Sequence, residues 1–220
     1  MISLLIMDVS GSTKSAQGLS KDIKWLEKEI SDWLEHQEKS YVNYRMGDEL
    51  FIISSKPHYT LFIAFYAKLL WRENSFPLKC SFHTIDVEYP KTDPEEWTHA
   101  AIKDTRNALD EVKKSTIQDF TGVDIDSSID VALMYVTDIL NNLTGLQREV
   151  LLLKMSGLTQ KEIAETLNKS HSTISAHLQK SRGRQLEVIL DFLESHYKDE
   201  VDLSKLQNKV TQSFRKSGDR

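Results

Sequence analysis

The sequence predicts an α+β chain. A front domain of strands and helices covers residues 1–121, an all-α domain covers 128–198, and a C-terminal helix or tail covers 199–220. Three observations predict it. Strand-like and helix-like segments alternate through the first half. Around residues 120–128, Gly122 and a run of Asp and Ser dilute the pattern. Beyond that point every apolar repeat has helical spacing.

The elements follow in order. Residues 3–9 form a short apolar run that ends in the turn signal Ser10-Gly11-Ser12-Thr13. Ile23, Leu26, Ile30, Trp33 and Leu34 recur at helical spacing, with Ser20 as the expected cap. Residues 41–46 and 50–53 read as two strands around Gly47-Asp48, a tight hairpin. Residues 59–72 are apolar almost all round, which predicts a buried helix. Residues 78–87 read as a strand, 94–114 as a helix opening on Pro94-Glu95-Glu96, and 116–120 as a last strand. The order βαββαβ is that of a ferredoxin-like palm. The second half reads as helices at 129–143, 145–156, 160–168 and 170–197, the last bending near Gly183. Leu203, Leu206, Val210 and Phe214 predict a final short helix with a frayed basic end.

Composition excludes several classes. Apolar residues are 40% and charged residues 28% of 220, with four prolines, which argues for a packed core and against extended disorder. The single cysteine, Cys80, permits no internal disulfide and suits a reducing cytosol. No apolar run approaches the roughly 20 residues that span a bilayer. The first apolar run meets Asp8 at once and reads as a strand, not a leader. A cytoplasmic protein without a membrane partner is expected. The net charge is −5, but residues 144–186 reverse it, with seven basic residues (Arg148, Lys154, Lys161, Lys169, Lys180, Arg182, Arg184) against three acids.

That basic stretch holds a helix-turn-helix pattern. Thr159 caps one helix and Ser170 the next. Ile163, Leu167, Ile174 and Leu178 point to a shared core, and Ala164 is small where the helices cross. Asn168 sits where the turn needs a left-handed residue. This leaves His171, Ser172, Thr173, Ser175, His177 and Lys180 on an exposed polar face. Short hydrogen-bonding side chains there suit base edges in the major groove. Lys169, Arg182 and Arg184 are placed for phosphates, and Ser170 belongs to the same candidate DNA-binding set. Duplex DNA is the expected partner, bound by a homodimer across paired half-sites. Leu186, Ile189, Leu190 and Leu193 form an apolar stripe that serves either a second copy or the 129–143 helix. With the preceding stretch 143–154, the motif resembles the tetrahelical unit of LuxR-type regulators and of sigma-factor region 4. That resemblance implies that the second helix reads DNA.

The front half carries a second pattern. Asp8 ends the first strand and leads into Ser10, Gly11, Ser12 and Thr13, whose backbone N–H groups suit phosphate oxygens. Asp48 lies in the hairpin, next to the first strand in a palm, so both carboxylates are candidates for Mg²⁺. The fragments 8–13 and Gly47-Asp48-Glu49-Leu50-Phe51 resemble class III nucleotide cyclases, in which the matching aspartates bind two metal ions. Tyr44 stands where that family has a purine-selecting Lys. If Arg106 matches its late Arg, Ile102 stands where it has Asn, which points to a degenerate site. The whole chain resembles the SatD family, with Arg106-Asn107-Ala108-Leu109 matching its Arg-x-Ala-Leu helix. The expected function is a DNA-binding transcriptional regulator whose cyclase-like domain senses a nucleotide ligand, Arg106 included. Two alternatives stand beside it: a metal-dependent nucleotide-processing enzyme tethered by the helical domain, and a protein-interaction module.

Overall fold

The structure, a computed structural model, describes residues 1–9, 16–45, 49–71, 76–196 and 202–217. β1 (Ile2–Val9) is buried along its whole length because both of its faces are covered. Then come α1 (Ala16–Leu34), β2 (Ser40–Arg45), β3 (Glu49–Ser54), α2 (Pro57–Leu70), β4 (Leu78–Ile85), α3 (Ala100–Lys114) and β5 (Phe120–Gly122). The sheet order is β2-β3-β1-β4-β5. Its neighbours are antiparallel except β4 and β5, which run parallel around α3.

The pleat sorts side chains onto two faces. Leu5, Met7, Val9, Leu50, Ile52 and Phe82 belong to a core shared with α1 and α2. Ile2, Leu4, Ile6, Phe51 and Ile53 belong to a smaller core under α3. Gly122 closes the sheet at a tight point, where an added Cβ would stand 2.6 Å from Ile125 and 2.8 Å from Phe82.

The second half is α4 (Ser127–Asn141), α5 (Gly145–Met155), α6 (Gln160–Leu167), α7 (His171–Lys180), α8 (Gly183–Ser195) and α9 (Ser204–Ser217). α2 explains how the halves join. Every residue from Pro57 to Leu70 is buried, because the helix packs on the sheet on one side and on α5 and α9 on the other. The larger core therefore runs without a break from the sheet through α2 into α4, α5, α8 and α9.

Polar contacts tie the same junction. Arg148 of α5 donates to the Trp71 carbonyl at 2.5 Å, at the C-terminal end of α2, where a cation is favoured. The Tyr66 hydroxyl donates to the Met155 carbonyl at 2.7 Å. Asp119 receives Lys68 of α2 at 2.5 Å, Lys79 of β4 at 2.8 Å and Asn141 of α4 at 2.8 Å.

Several expectations change. Pro94-Glu95-Glu96 does not start a helix. It forms a turn closed by Glu96 N–H on the Asp93 carbonyl at 2.9 Å, and His99 caps α3 instead. Ser20 lies within α1 and does not cap it. The last strand falls at 120–122, not 116–120. The expected long helix over 170–197 is two helices, broken by Arg182 at φ 55°. The expected C-terminal helix is present as α9, and it is packed on α1. Trp33 of α1 donates to Ser213 at 2.8 Å, and Lys209 meets Glu35 at 2.9 Å. Leu186, Leu190 and Leu193 are buried in the main core, with α8 packed on α4. No helix among the described residues is long and apolar enough to cross a membrane.

Candidate nucleic-acid interface and sheet-end cluster

α5, α6 and α7 pack on one small core of Val150, Leu153, Ile163 and Ile174, which Phe214 of α9 joins. Local sequence fixes each junction. Thr144 and Gln147 form a capping box at α5, and Thr159 and Glu162 form another at α6. Gly157, at φ 87°, turns the chain out of α5, with its own N–H on Lys154 and that of Leu158 on Leu153. Asn168 does the same after α6, at φ 50° and ψ 51°, with Lys169 N–H on the Ala164 carbonyl at 3.0 Å. Ser170 caps α7 through the Thr173 N–H at 3.1 Å. The left-handed Asn168 and the two caps on Thr159 and Ser170 match the sequence expectation.

The face of α7 that these junctions present is open. Lys169, Ser170, His171, Ser172, Ser175 and Lys180 are exposed. The Ser170 hydroxyl lies 2.8 Å from those of both Ser172 and Thr173, a hydroxyl cluster over the helix N-terminus. Thr173 and His177 are half-buried, so they sit at the margin of the strip. Ala176 and Gln179 are exposed on it. Sequence reasoning missed Gln179, although its spacing of seven from Ser172 marks the same face.

The positive charge is smaller than the residue count suggests. Arg148 is turned into the α2 junction, and its burial lowers its pKa. Arg182 pairs with Asp138 at 2.7 Å. Arg184 and Lys154 both meet Glu187, at 3.1 and 3.7 Å. Among the described residues, Lys161, Lys169 and Lys180 have no ion-pair partner. The phosphate role read for Arg182 and Arg184 therefore competes with existing pairs.

In the front half, Asp8 of β1 and Glu49 of β3 are register partners at one end of the sheet, with Lys79 of β4 opposite Asp8. Asp8 is 3% exposed and its carboxylate pairs with Lys113. Arg106 donates to Glu49 at 2.8 and 3.3 Å, which raises the guanidinium pKa. Arg45 lies over the Phe51 ring at 4.0 Å and meets Glu49 at 3.8 Å. So Arg106 and Lys113 arrive here with partners already in place. A hard cation needs open carboxylate oxygens. The described side chains here compensate one another and do not by themselves fit such an ion. No group of three or more His, Cys, Asp or Glu among the described residues is arranged to hold a metal. Ser10, Gly11, Ser12, Thr13 and Asp48 lie outside the described residues.

Fold and surface together define a mixed α+β chain whose helical half contains a helix-turn-helix unit. Residues 133–184, from within α4 to the start of α8, match the family described as Sigma-70, region 4. Compared with curated proteins and with solved structures, nothing matches the chain.

Proposed function

We propose that the chain is a DNA-binding transcriptional regulator in which α7 enters the major groove. One observation carries this: the strip of His171, Ser172, Ser175, Gln179 and Lys180 faces solvent and is presented by capped, tightly turned neighbours. The match to Sigma-70, region 4 over this unit supports it. Side chains of this length reach base edges, while Lys169 and the α7 N-terminus meet phosphates. Binding by a homodimer belongs to this reading, because paired half-sites suit a two-fold protein.

Selection from a random duplex library, followed by anisotropy titrations over a salt series, tests it. Each phosphate contact contributes a slope of about −0.9 in log K against log salt. Lys169→Ala and Lys180→Ala are each expected to remove roughly one such unit. Ser175→Ala is expected to relax sequence preference and to leave the slope unchanged. Duplex binding that is absent or indifferent to salt favours the protein-interaction alternative.

A second reading concerns the front domain: a palm of the cyclase-like kind, as in the SatD family, that senses a nucleotide or phosphate-bearing ligand. The strand order β2-β3-β1-β4 supports it. Arg45, Arg106 and Lys113 stand at the same sheet end, where a phosphate has to displace their pairs with Glu49 and Asp8. A thermal-shift panel of nucleotides with and without Mg²⁺ on wild type and Asp48→Ala tests the reading. The enzyme alternative places Mg²⁺ on Asp8 and Asp48 and requires Lys113 to withdraw. It stands or falls on metal-dependent turnover of a nucleoside triphosphate that Asp8→Ala abolishes.

A further inference from the structure

We propose that the outer face of the α4–α8 pair is a dimer interface, on which a second copy of this chain docks about a two-fold axis running across the two helices. Six large apolar side chains are exposed among the described residues, and four of them lie on this pair: Val131 and Tyr135 of α4, Val188 and Phe192 of α8. Apolar side chains gathered on one water-facing surface mark an interaction site.

Two contacts set how the helices lie. Asp138, near the end of α4, meets Arg182, just before α8, at 2.7 Å. Asp126, just before α4, stands 3.9 Å from His196, just after α8. The helices are therefore antiparallel and level at both ends. Between these ties, Phe192, Val131, Val188 and Tyr135 follow one another along the pair. Each helix buries its opposite stripe in the main core, through Leu133, Val136 and Leu140 on α4 and through Leu186, Leu190 and Leu193 on α8. Val131, Tyr135 and Asp138 share a stripe by their spacing of four and three. Asp138 reaches across to α8, so the apolar residues of both helices open on the same side.

Charge points to a second copy and fixes the axis. The end made by the α4 N-terminus and the α8 C-terminus carries Asp124, Asp126, Asp130, Asp191 and Glu194 against His196. The other end carries Lys154, Lys180, Arg182 and Arg184 against Asp138 and Glu187. An axis across the helices lays α8 antiparallel on the α8 of the second copy, so each basic end covers an acidic end. An axis along the helices would set acid on acid. Arg184 and Asp191 stand seven residues apart on one side of α8, equally far from a midpoint near Val188. Each therefore faces the other across the two copies, and the Arg184 side chain is 80% exposed.

Helices of 15 and 13 residues make a face roughly 20 Å by 20 Å. That lies toward the small end of specific interfaces, so self-association in the micromolar range is expected. The consequence for DNA rests on the DNA-binding reading; the interface does not. Because α8 follows α7 directly through Arg182, a two-fold on α8 relates two α7 strips, and selected duplexes are expected to be inverted repeats.

Sedimentation velocity of the full chain without DNA, over a concentration series to about 100 μM, tests the interface. A reversible monomer–dimer equilibrium is expected. Tyr135→Lys and Val188→Lys, both at exposed positions, are expected to weaken it at least about 10-fold, with unchanged melting of the dilute monomer. Arg184→Glu and Asp191→Arg are each expected to weaken it by roughly 10-fold. An equimolar mixture of these two variants is expected to dimerise as wild type does, because opposite charges then meet across copies. Val131→Lys serves as a further probe should either lysine variant fail to fold. A chain that stays monomeric overturns the proposal and leaves the face to a different protein. So does a dimer that survives the lysine variants, or a mixture no better than its components. Dimerisation by a chain that selects no duplex supports the interface and removes the DNA reading alone.

Discussion

Thr159 and Glu162 are exposed, yet they set where α6 begins and therefore how α7 is offered. Thr159→Ala is expected to cost about 1 kcal/mol, read from urea unfolding. Glu162 lies below its ordinary value of 4.5, chiefly because the Thr159 hydroxyl donates to it and then because the Thr159 N–H does. A depressed folded-state pKa contributes stability that is present above the unfolded value and is lost as pH falls through the folded value. The Tm gap between wild type and Glu162→Gln should therefore be widest near neutrality and close in acid. A gap that stays constant with pH would show that the carboxylate charge contributes nothing. Features of this kind are legible in sequence because their partners lie three residues apart. So is Asn168, whose tolerance of positive φ is a local property. The break at Arg182 is not legible in the same way. Gly183 is the residue that sequence favours for a bend, but the left-handed conformation falls one position earlier, on an arginine tied to Asp138.

Between elements, the decisive group is Asp119. Its carboxylate is buried among Lys68, Lys79 and Asn141, and it links α2, β4 and α4. Burial alone would raise its pKa, but the Lys68 charge and the hydrogen bonds from Lys68, Lys79 and Asn141 outweigh that and hold it low. Burial pushes the Lys68 ammonium down. Asp119→Ala strands two buried ammonium groups and is expected to cost roughly 3–5 kcal/mol. Lys68→Met removes one charge and leaves the Lys79 pair, so a smaller loss is expected in the same denaturation series. Equal losses would mean that the network does not depend on its charge balance. None of this is readable from spacing. Asp119 sits in an irregular stretch, and what it meets depends on the register of β4 and β5 and on where α4 docks. The same holds for Asp8. Its place at the end of β1 is plain from the apolar run, but Lys113 reaches it only through the packing of α3 on the sheet. Lys113 lies in the last turn of α3, where a cation complements the helix dipole, and the structure gives that charge a specific carboxylate.

At the scale of the whole molecule, the apolar pattern of α2 foretells that the helix is buried but does not say by what. The answer, α5 and α9, gives a shared core to the two halves that the sequence divides near residue 121. Leu206 and Val210 of α9 are buried in the core that holds Leu5 and Met7 of β1, while Phe214 also packs on the helix-turn-helix core. The four tryptophans, Trp25, Trp33, Trp71 and Trp97, all precede that division, so their fluorescence reports the front half together with its contacts to Ser213 and Arg148 through Trp33 and Trp71. Far-UV circular dichroism weights the helices of the second half more heavily. In urea the two signals are expected to share one midpoint, the mark of a single cooperative unit. Leu206→Ala is expected to lower stability by roughly 2–5 kcal/mol through the cavity it leaves, and to move both midpoints together. Separate transitions, or a Leu206→Ala shift seen by one probe alone, would mean that the halves fold independently.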